Sequence, residues 1–170
     1  MKTLLIAAGA AALALTATSA SAAPVAATTP ATATAKIFKP LVLTANRNLD
    51  LGTIVLGTLP VGGEVVSLTA AGGLTCGAGN LTCSGTPVTA QYNVKGTNNA
   101  AVRILVGSTS LNGSLGGTVA FTALAPAPAT VTMPNSGNAG VDFNVGGQIT
   151  ILPTTLEGVY TGNMDVTVDY

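Results

Sequence analysis

The stretch VTAQYNVK at residues 88–95 places an apolar side chain at every even position and a polar side chain at every odd position. Successive side chains of a β-strand point to opposite faces of a sheet, so this alternation predicts a strand with one buried and one solvated face. Three further runs repeat the pattern: Val102, Ile104 and Val106; Val119, Phe121 and Ala123; and Val141, Phe143 and Val145.

Glycine pairs separate such runs. Gly146-Gly147 predicts a hairpin turn into a strand at 148–152, and Gly62-Gly63 predicts a turn into a strand at 64–69. After residue 22, no window has the i, i+3, i+4, i+7 spacing of an amphipathic helix without Gly or β-branched interruption. About eight to ten short strands at regular spacing predict an all-β sandwich or barrel.

The composition excludes several functions. Only 7% of the 170 residues are charged and the formal net charge is zero, whereas a soluble domain averages roughly 25% charged residues. Sequence-independent nucleic-acid binding needs a basic surface that displaces counterions, so no nucleic-acid partner is expected. There is no His, which excludes histidine-dependent catalysis. The apolar fraction of 48% argues against a disordered chain.

Residues 1–22 have the organisation of a secretory signal peptide. Lys2 supplies the basic start, Leu4 to Leu15 form an apolar run, and Ala20-Ser21-Ala22 is a small-residue cleavage site. The apolar run is shorter than the roughly 18 residues of a spanning helix, and no second hydrophobic segment of spanning length follows. The chain is therefore expected to be exported, to the periplasm, cell surface or medium of a Gram-negative bacterium, with no transmembrane segment after cleavage.

Cys76 and Cys83 are the only cysteines. In an oxidising compartment they are expected to form a disulfide with each other. The alternative is a metal site, but zinc requires four ligands and the neighbouring sequence does not supply the others.

The mature sequence divides into an N-terminal arm, residues 23–37, and a β-sandwich domain, residues 38–170. Residues 23–35 are rich in Ala, Thr and Pro and contain no charge. Four apolar side chains alternate with polar ones at the end of this arm: Ala31, Ala33, Ala35 and Ile37. Lys39-Pro40 interrupts the pattern, because proline cannot donate to a strand ladder. In the simpler interpretation, 23–35 is a flexible tail and 31–43 is the first strand of the domain.

Residues 160–170 alternate along their whole length, which predicts a single C-terminal strand about 34 Å long. Its unpaired edge would be adhesive unless another strand covers it. The predicted inward face of this strand comprises Tyr160, Gly162, Met164, Val166, Val168 and Tyr170.

Two segments resemble a known group of proteins. LDLGTI at 49–54 and GVYTGNMDVTVDY at 158–170 are similar to the L-D-F-G-T-I and C-terminal G-x-Y-T-G-x-x-x-V-x-V-x-Y motifs of a secreted bacterial domain-of-unknown-function family. Val145-Gly146-Gly147 before a strand also fits. The ending is similar to that of the spore coat protein U group and of archaic chaperone–usher pilins. The pilin-like group often carries a Cys early in the first strand, where this chain has Lys39-Pro40, so that group's disulfide does not carry over.

The resemblance implies an immunoglobulin-like, pilin-like antiparallel sandwich with an incomplete edge. It also implies a structural subunit of a cell-surface or pilus-like assembly, in which the arm of one copy adds as a strand to the next. The expected partners are other copies or other surface subunits, with a periplasmic chaperone and an outer-membrane usher. Ala31, Ala33, Ala35 and Ile37 are the candidate donor face. The alternative is a self-contained, adhesin-like binding module that uses loops at 71–87, 107–117 and 134–140.

No enzymatic site is predicted, and no cofactor or metal. Asp165 and Asp169 share one face of the predicted C-terminal strand but would lie about 14 Å apart, beyond the roughly 5–9.5 Å that separates glycosidase carboxylates. No G-x-S-x-G or S-x-x-K motif is present. Asp142 and Asn144 could contact a cation, but two ligands do not make a calcium site.

Overall fold

The computed structural model describes residues 23–136 and 138–170. The predicted signal peptide, residues 1–22, lies outside the described residues. The described residues contain strands, turns and irregular segments but no α-helix, and no helix among them could cross a membrane. All strand pairs are antiparallel. The prediction of an all-β antiparallel sandwich is confirmed.

Thirteen strands occur in the described residues. In chain order they are β1 (Val42–Arg47), β2 (Thr53–Leu56), β3 (Glu64–Leu68), β4 (Leu74–Cys76), β5 (Leu81–Ser84), β6 (Ala90–Lys95), β7 (Ala101–Val106), β8 (Ser108–Gly113), β9 (Thr118–Leu124), β10 (Thr130–Thr132), β11 (Val141–Ile151), β12 (Tyr160–Thr161) and β13 (Val166–Asp169).

The strands form three hydrogen-bonded groups. The largest follows the order β1-β6-β11-β9-β8-β12, with β3 also paired to β11 and β4 paired to β3. A second sheet has the order β10-β7-β13, and β2 pairs with β5 alone. The first strand and the last strand of the domain are thus outer strands of two different sheets.

The core is built from aliphatic side chains around two buried aromatic rings. Phe121 on β9 and Phe143 on β11 are 1% and 6% exposed. The same buried cluster includes Val66, Leu68, Val94, Val102, Ile104, Val119, Met133, Val145, Ile149 and Ile151. The alternating runs predicted from the sequence supply Val94, Val102, Ile104, Val119 and Val145, because alternate side chains of a strand point to the same face.

Gly146-Gly147 is not a hairpin turn, as the sequence predicted, but the middle of the eleven-residue strand β11. Residues 141–145 of this strand pair with β6, whereas residues 147–151 pair with β3 and residues 146–149 with β9. Both glycines are buried. A Cβ on Gly147 would lie 2.5 Å from the Phe121 ring. The glycines therefore allow close packing where one strand passes from one set of partners to another.

The predicted single C-terminal strand is also wrong. Residues 160–161 pair with β8, and residues 166–169 pair with β7 in a different sheet. Between them, residues 162–165 leave the ladder, because the chain must cross from one sheet to the other. By contrast, the predicted turn at Gly62-Gly63 is confirmed: the Gly63 N–H donates to the Pro60 carbonyl oxygen (2.8 Å), and β3 follows.

The LDLGTI segment makes a sharp connection between β1 and β2. An Asp50 carboxylate oxygen accepts from the Gly52 N–H (2.8 Å), as in an Asx turn. The backbone of Asp50 also exchanges two hydrogen bonds with Val88, each 2.8 Å long. Gly52 has a φ of +78°, and a Cβ there would lie 2.6 Å from the Ser84 carbonyl oxygen. Glycine at this position therefore satisfies both the backbone conformation and the close approach to β5.

Candidate assembly surface

The sequence predicted that the arm and the C-terminal segment take part in assembly. The arm contains no regular secondary structure, whereas the C-terminal segment contains two strands. Residues 23–40 contain no helix or strand, and every one of them is exposed. Ala31, Ala33, Ala35 and Ile37, the predicted donor face, are therefore all exposed, and Ile37 is 91% exposed. The compact unit of the domain begins at Ile37 and continues to Tyr170.

The predicted inward face of the C-terminal segment is only partly inward. Four side chains are half-buried and pack against the core: Tyr160, Met164, Val166 and Val168. Gly162 is exposed, and Tyr170 is 39% exposed. Gly162 lies where the chain leaves β8, and a Cβ on it would be 2.9 Å from Leu111 Cδ2 and from the Ser110 carbonyl oxygen.

Tyr170 joins the beginning of the domain to its end. Its ring stacks on Phe38, with the ring centroids 4.6 Å apart. Its hydroxyl donates to the Lys39 carbonyl oxygen (2.6 Å) and accepts from the Thr97 N–H (2.8 Å). The Lys39 N–H in turn donates to Thr97 Oγ1 (2.6 Å). The segment immediately before β1 is therefore anchored at two successive residues, Phe38 and Lys39.

Gly96 makes room for this anchor. A Cβ on Gly96 would lie 2.6 Å from the Tyr170 hydroxyl oxygen and 2.7 Å from Leu41 Cδ2. The start of β1 and the end of β13 thus meet over this glycine, although the two strands belong to different sheets.

Tyr170→Phe is expected to lower the free energy of unfolding by about 1 kcal/mol, because it removes the hydroxyl's hydrogen bonds but keeps the stack on Phe38. Urea denaturation measures this change. In hydrogen exchange, the Thr97 amide should lose protection selectively, since its partner is the Tyr170 hydroxyl. Tyr160→Phe is the matched control, because its hydroxyl bonds only the Leu156 carbonyl (2.8 Å). Unchanged protection at Thr97 in the Tyr170 variant would contradict the anchor.

β1 pairs with β6 on one side, and its other edge has no partner among the described residues. Leu43 and Ala45 point toward the core side of this strand, opposite Val94 and Tyr92. Along one row of directly paired residues, burial increases away from the edge: Ala45 is exposed, Tyr92 is half-buried and Phe143 is buried. The inner face of the sheet is therefore uncovered at Ala45, whereas Leu43 of the same strand packs against the core.

Tyr92 reflects this partial burial. Its ring stacks with that of Phe143 at a centroid distance of 5.8 Å. Burial raises the pKa of the Tyr92 phenol above its ordinary value of 10.0, because the surroundings disfavour the phenolate.

β13 is an outer strand of the second sheet, and an ion pair joins it to β7 in addition to the backbone pairing. Arg103 Nε and Nη2 donate to the two carboxylate oxygens of Asp169 at 3.0 and 2.9 Å. The hydrogen bond from Arg103, reinforced by its charge, lowers the pKa of the Asp169 carboxyl, and the same contact raises the pKa of Arg103. Both side chains are well exposed, so this pair sets the register of β13 rather than adding much stability.

The cysteines form the predicted disulfide, Cys76–Cys83, which joins β4 to β5. Glu64, which is buried, stabilises the turn between them. Its carboxylate accepts hydrogen bonds from the Ala78 N–H (3.0 Å) and from the Asn80 side-chain amide (2.5 Å). Among residues 23–136 and 138–170, no group of three or more His, Cys, Asp or Glu side chains could hold a metal ion.

Two of the three segments predicted as ligand-binding loops of an adhesin-like module contain strands. The segment 71–87 contains β4 and β5, and 107–117 contains β8. Short polar strands such as STSLNG, residues 108–113, resemble loops in composition, because one face is solvated and the apolar residues are few.

A family model for a domain of unknown function, DUF4402, matches residues 41–170. The chain belongs to the DUF4402 family. No curated protein and no solved structure matches it significantly. The prediction of a family of unknown function is therefore confirmed.

The DUF4402 match includes all thirteen strands and begins one residue before β1. Phe38 and Lys39, which Tyr170 anchors, precede the match, as does the predicted arm. In this DUF4402 protein, Tyr170 thus lies within the family match and contacts residues that precede the match.

Sequence reasoning missed three of these features. The Phe38–Tyr170 stack joins residues 132 positions apart in sequence (170 − 38). The Arg103–Asp169 pair and the uncovered Ala45–Tyr92 row each depend on which strands are neighbours. The only sequence signal was the regular spacing of apolar residues, which assigns a face to each residue but no partner.

Proposed function

We propose that this chain is an exported structural subunit of a cell-surface or pilus-like assembly, and that arm residues 31–37 of one copy add as a strand to the free edge of β1 in another copy. The observation that carries the proposal is the uncovered row Ala45–Tyr92 at that edge. The likeness of the sequence ending to spore coat protein U and archaic chaperone–usher pilins supports the same role.

The arm has the length and pattern that such an edge requires. The segment 31–37 contains seven residues and β1 contains six. In extended form each would span about 20 Å. The alternating face of Ala31, Ala33, Ala35 and Ile37 would continue the inner face of the sheet beside Ala45, while Thr32, Thr34 and Lys36 would face solvent. Unpaired strand edges accept such additions through backbone hydrogen bonds.

An addition between copies is favoured over a hairpin within one copy. A hairpin would require the chain to reverse at residues 38–41, immediately before β1. Phe38 and Lys39 are instead held by Tyr170 and Thr97. These contacts at Phe38 and Lys39 would have to break for the chain to reverse there, which supports addition to a neighbouring copy.

The affinity of each addition is expected to be modest. An alanine side chain buries little apolar area, so most of the apolar contribution comes from Ile37. Modest affinity suits a subunit that a periplasmic chaperone holds and an usher assembles, which are the partners expected for the pilus-like role.

The test compares the mature chain, residues 23–170, with a protein lacking residues 23–37, by size-exclusion chromatography with light scattering. The mature chain should form multimers, and the shortened protein should remain monomeric. A synthetic peptide of residues 23–37 should bind the shortened protein and slow hydrogen exchange at the β1 amides that face the free edge, because the added strand would accept their hydrogen bonds.

Ala33→Asp and Thr34→Asp form a matched pair within the arm, because they add the same charge to opposite faces. Ala33→Asp should abolish multimers, whereas Thr34→Asp should retain them. Monomers for every variant together with no response to the peptide would refute the proposal, as would equal association of the Ala33 and Thr34 variants.

A further inference from the structure

The outer face of β6 and β11 carries a row of planar polar side chains. Gln91 lies directly opposite Asn144, and Asn93 lies directly opposite Asp142. These residues alternate with Tyr92, Phe143 and Val145, which point to the core. The face is therefore the solvent side of the sheet, distinct from the uncovered inner face at β1.

A groove of about 330 Å³ lies on this face. Gln91, Asp142 and Asn144 line its floor, and the segments 70–71 and 126–127 form its walls with Ala and Pro side chains. The wall at Ala70 is held close to β11, because the backbone of residues 68–70 lies directly against Gly146. The volume is within the roughly 300–1,000 Å³ of small-molecule sites.

Neighbouring contacts hold the polar groups in place. Asn93 Nδ2 donates to Asp142 Oδ1 (2.6 Å). Arg47 donates from Nε to the Thr89 carbonyl oxygen (2.9 Å) and from Nη2 to Asn144 Oδ1 (3.5 Å). The Gln91 side-chain amide makes no hydrogen bond to the described part of the chain. The groove therefore retains the Gln91 amide, the second Asp142 oxygen and the Asn144 NH₂ for a ligand.

We propose that this groove binds a neutral saccharide. Asp142 is the one charged residue among the described residues that line the groove, and the Arg47 guanidinium, which bonds Asn144 beside it, offsets that charge, which favours neither an anion nor a cation. Amide and carboxylate groups offer donors and acceptors together, and adjacent sugar hydroxyls are both donors and acceptors. The small Ala and Pro walls accommodate the C–H face of a pyranose ring, whereas the polar floor would be left without hydrogen bonds under an apolar ligand.

Saturation-transfer-difference NMR on the mature chain tests the proposal, because it reports ligand contact whatever the size of the protein assembly. The probes are the methyl glycosides of glucose, galactose and mannose, N-acetylglucosamine, and the disaccharides maltose and lactose. At least one should receive saturation in the wild-type protein. Gln91→Ala and Asn144→Ala should each weaken its binding roughly five- to tenfold, as expected for loss of one or two neutral hydrogen bonds.

Asn163→Ala is the matched control, since Asn163 is an exposed amide outside the groove. It should bind the saccharide as the wild type does. Circular dichroism and thermal unfolding establish that each variant is folded, and either groove variant alone suffices for the comparison. No saturation of any probe would overturn the proposal, and so would equal binding by the wild type and the folded groove variants. The arm-based assembly is measured separately and does not depend on either outcome.

Discussion

Gly146→Ala is expected to lower the free energy of unfolding by about 3 kcal/mol or more, because the new methyl group has no space. A Cβ on Gly146 would overlap the carbonyl oxygen of Leu68 and lie 2.7 Å from the Thr69 carbonyl carbon and 2.8 Å from the Ala70 nitrogen. All three are backbone atoms, so no side chain can rotate away. The strand β3 would have to separate from β11 at the point where their pairing begins.

Gly62→Ala is the control for this substitution. Gly62 is exposed, its φ lies outside the left-handed region, and nothing lies within 4 Å of a Cβ placed there. Urea denaturation of both variants should give a much lower midpoint for Gly146→Ala and a stability within about 0.5 kcal/mol of the wild type for Gly62→Ala. A Gly146→Ala protein as stable as the wild type would show that Gly146 does not lie against β3.

Replacing both cysteines by alanine is expected to cost about 2.5 kcal/mol, since the disulfide closes a short loop that otherwise gains chain entropy on unfolding. The two cysteines are seven residues apart. They also join β4 of the larger sheet to β5 of the two-stranded β2–β5 pair. The loss should therefore be accompanied by faster hydrogen exchange in β2 and β5.

Reductant separates the effect of the bond from the effect of the substitutions. It should lower the denaturation midpoint of the wild type and leave the Cys76→Ala/Cys83→Ala variant unchanged. The turn at 77–80 should partly survive, because Glu64 still accepts its hydrogen bonds from Ala78 and Asn80. If reductant leaves the wild-type midpoint unchanged, the disulfide contributes nothing to stability.

Only part of the candidate assembly surface can be predicted from sequence patterns. The apolar alternation at 31–37 and 160–170 is enough to identify both chain segments near the domain ends. It does not identify β1 as an uncovered edge, because exposure of Ala45 depends on the absence of a neighbouring strand among the described residues. The alternation also overestimates the length of the C-terminal strand, because it continues through residues 162–165, where the chain passes from one sheet to the other.

The glycines illustrate the same limit. Gly62-Gly63 and Gly146-Gly147 look alike in sequence, yet the first pair forms a turn and the second lies inside a buried strand. A missing Cβ permits both a turn and a close approach between strands. Which of the two occurs depends on the atoms that arrive from distant parts of the chain.

The amino-acid sequence by itself determined the all-β class, the inward and outward faces of β6, β7, β9 and the first half of β11, and the disulfide between the only two cysteines. Each of these follows from local alternation or from residue counts, since a strand's side chains alternate whatever its partner. Only the tertiary structure decided the crossing of β11 between partners, the anchor of Phe38 and Lys39 on Tyr170, the open edge of β1 and the groove over Gln91. Each of these depends on which strands lie side by side. The sequence of one strand does not indicate which distant strand it will pair with.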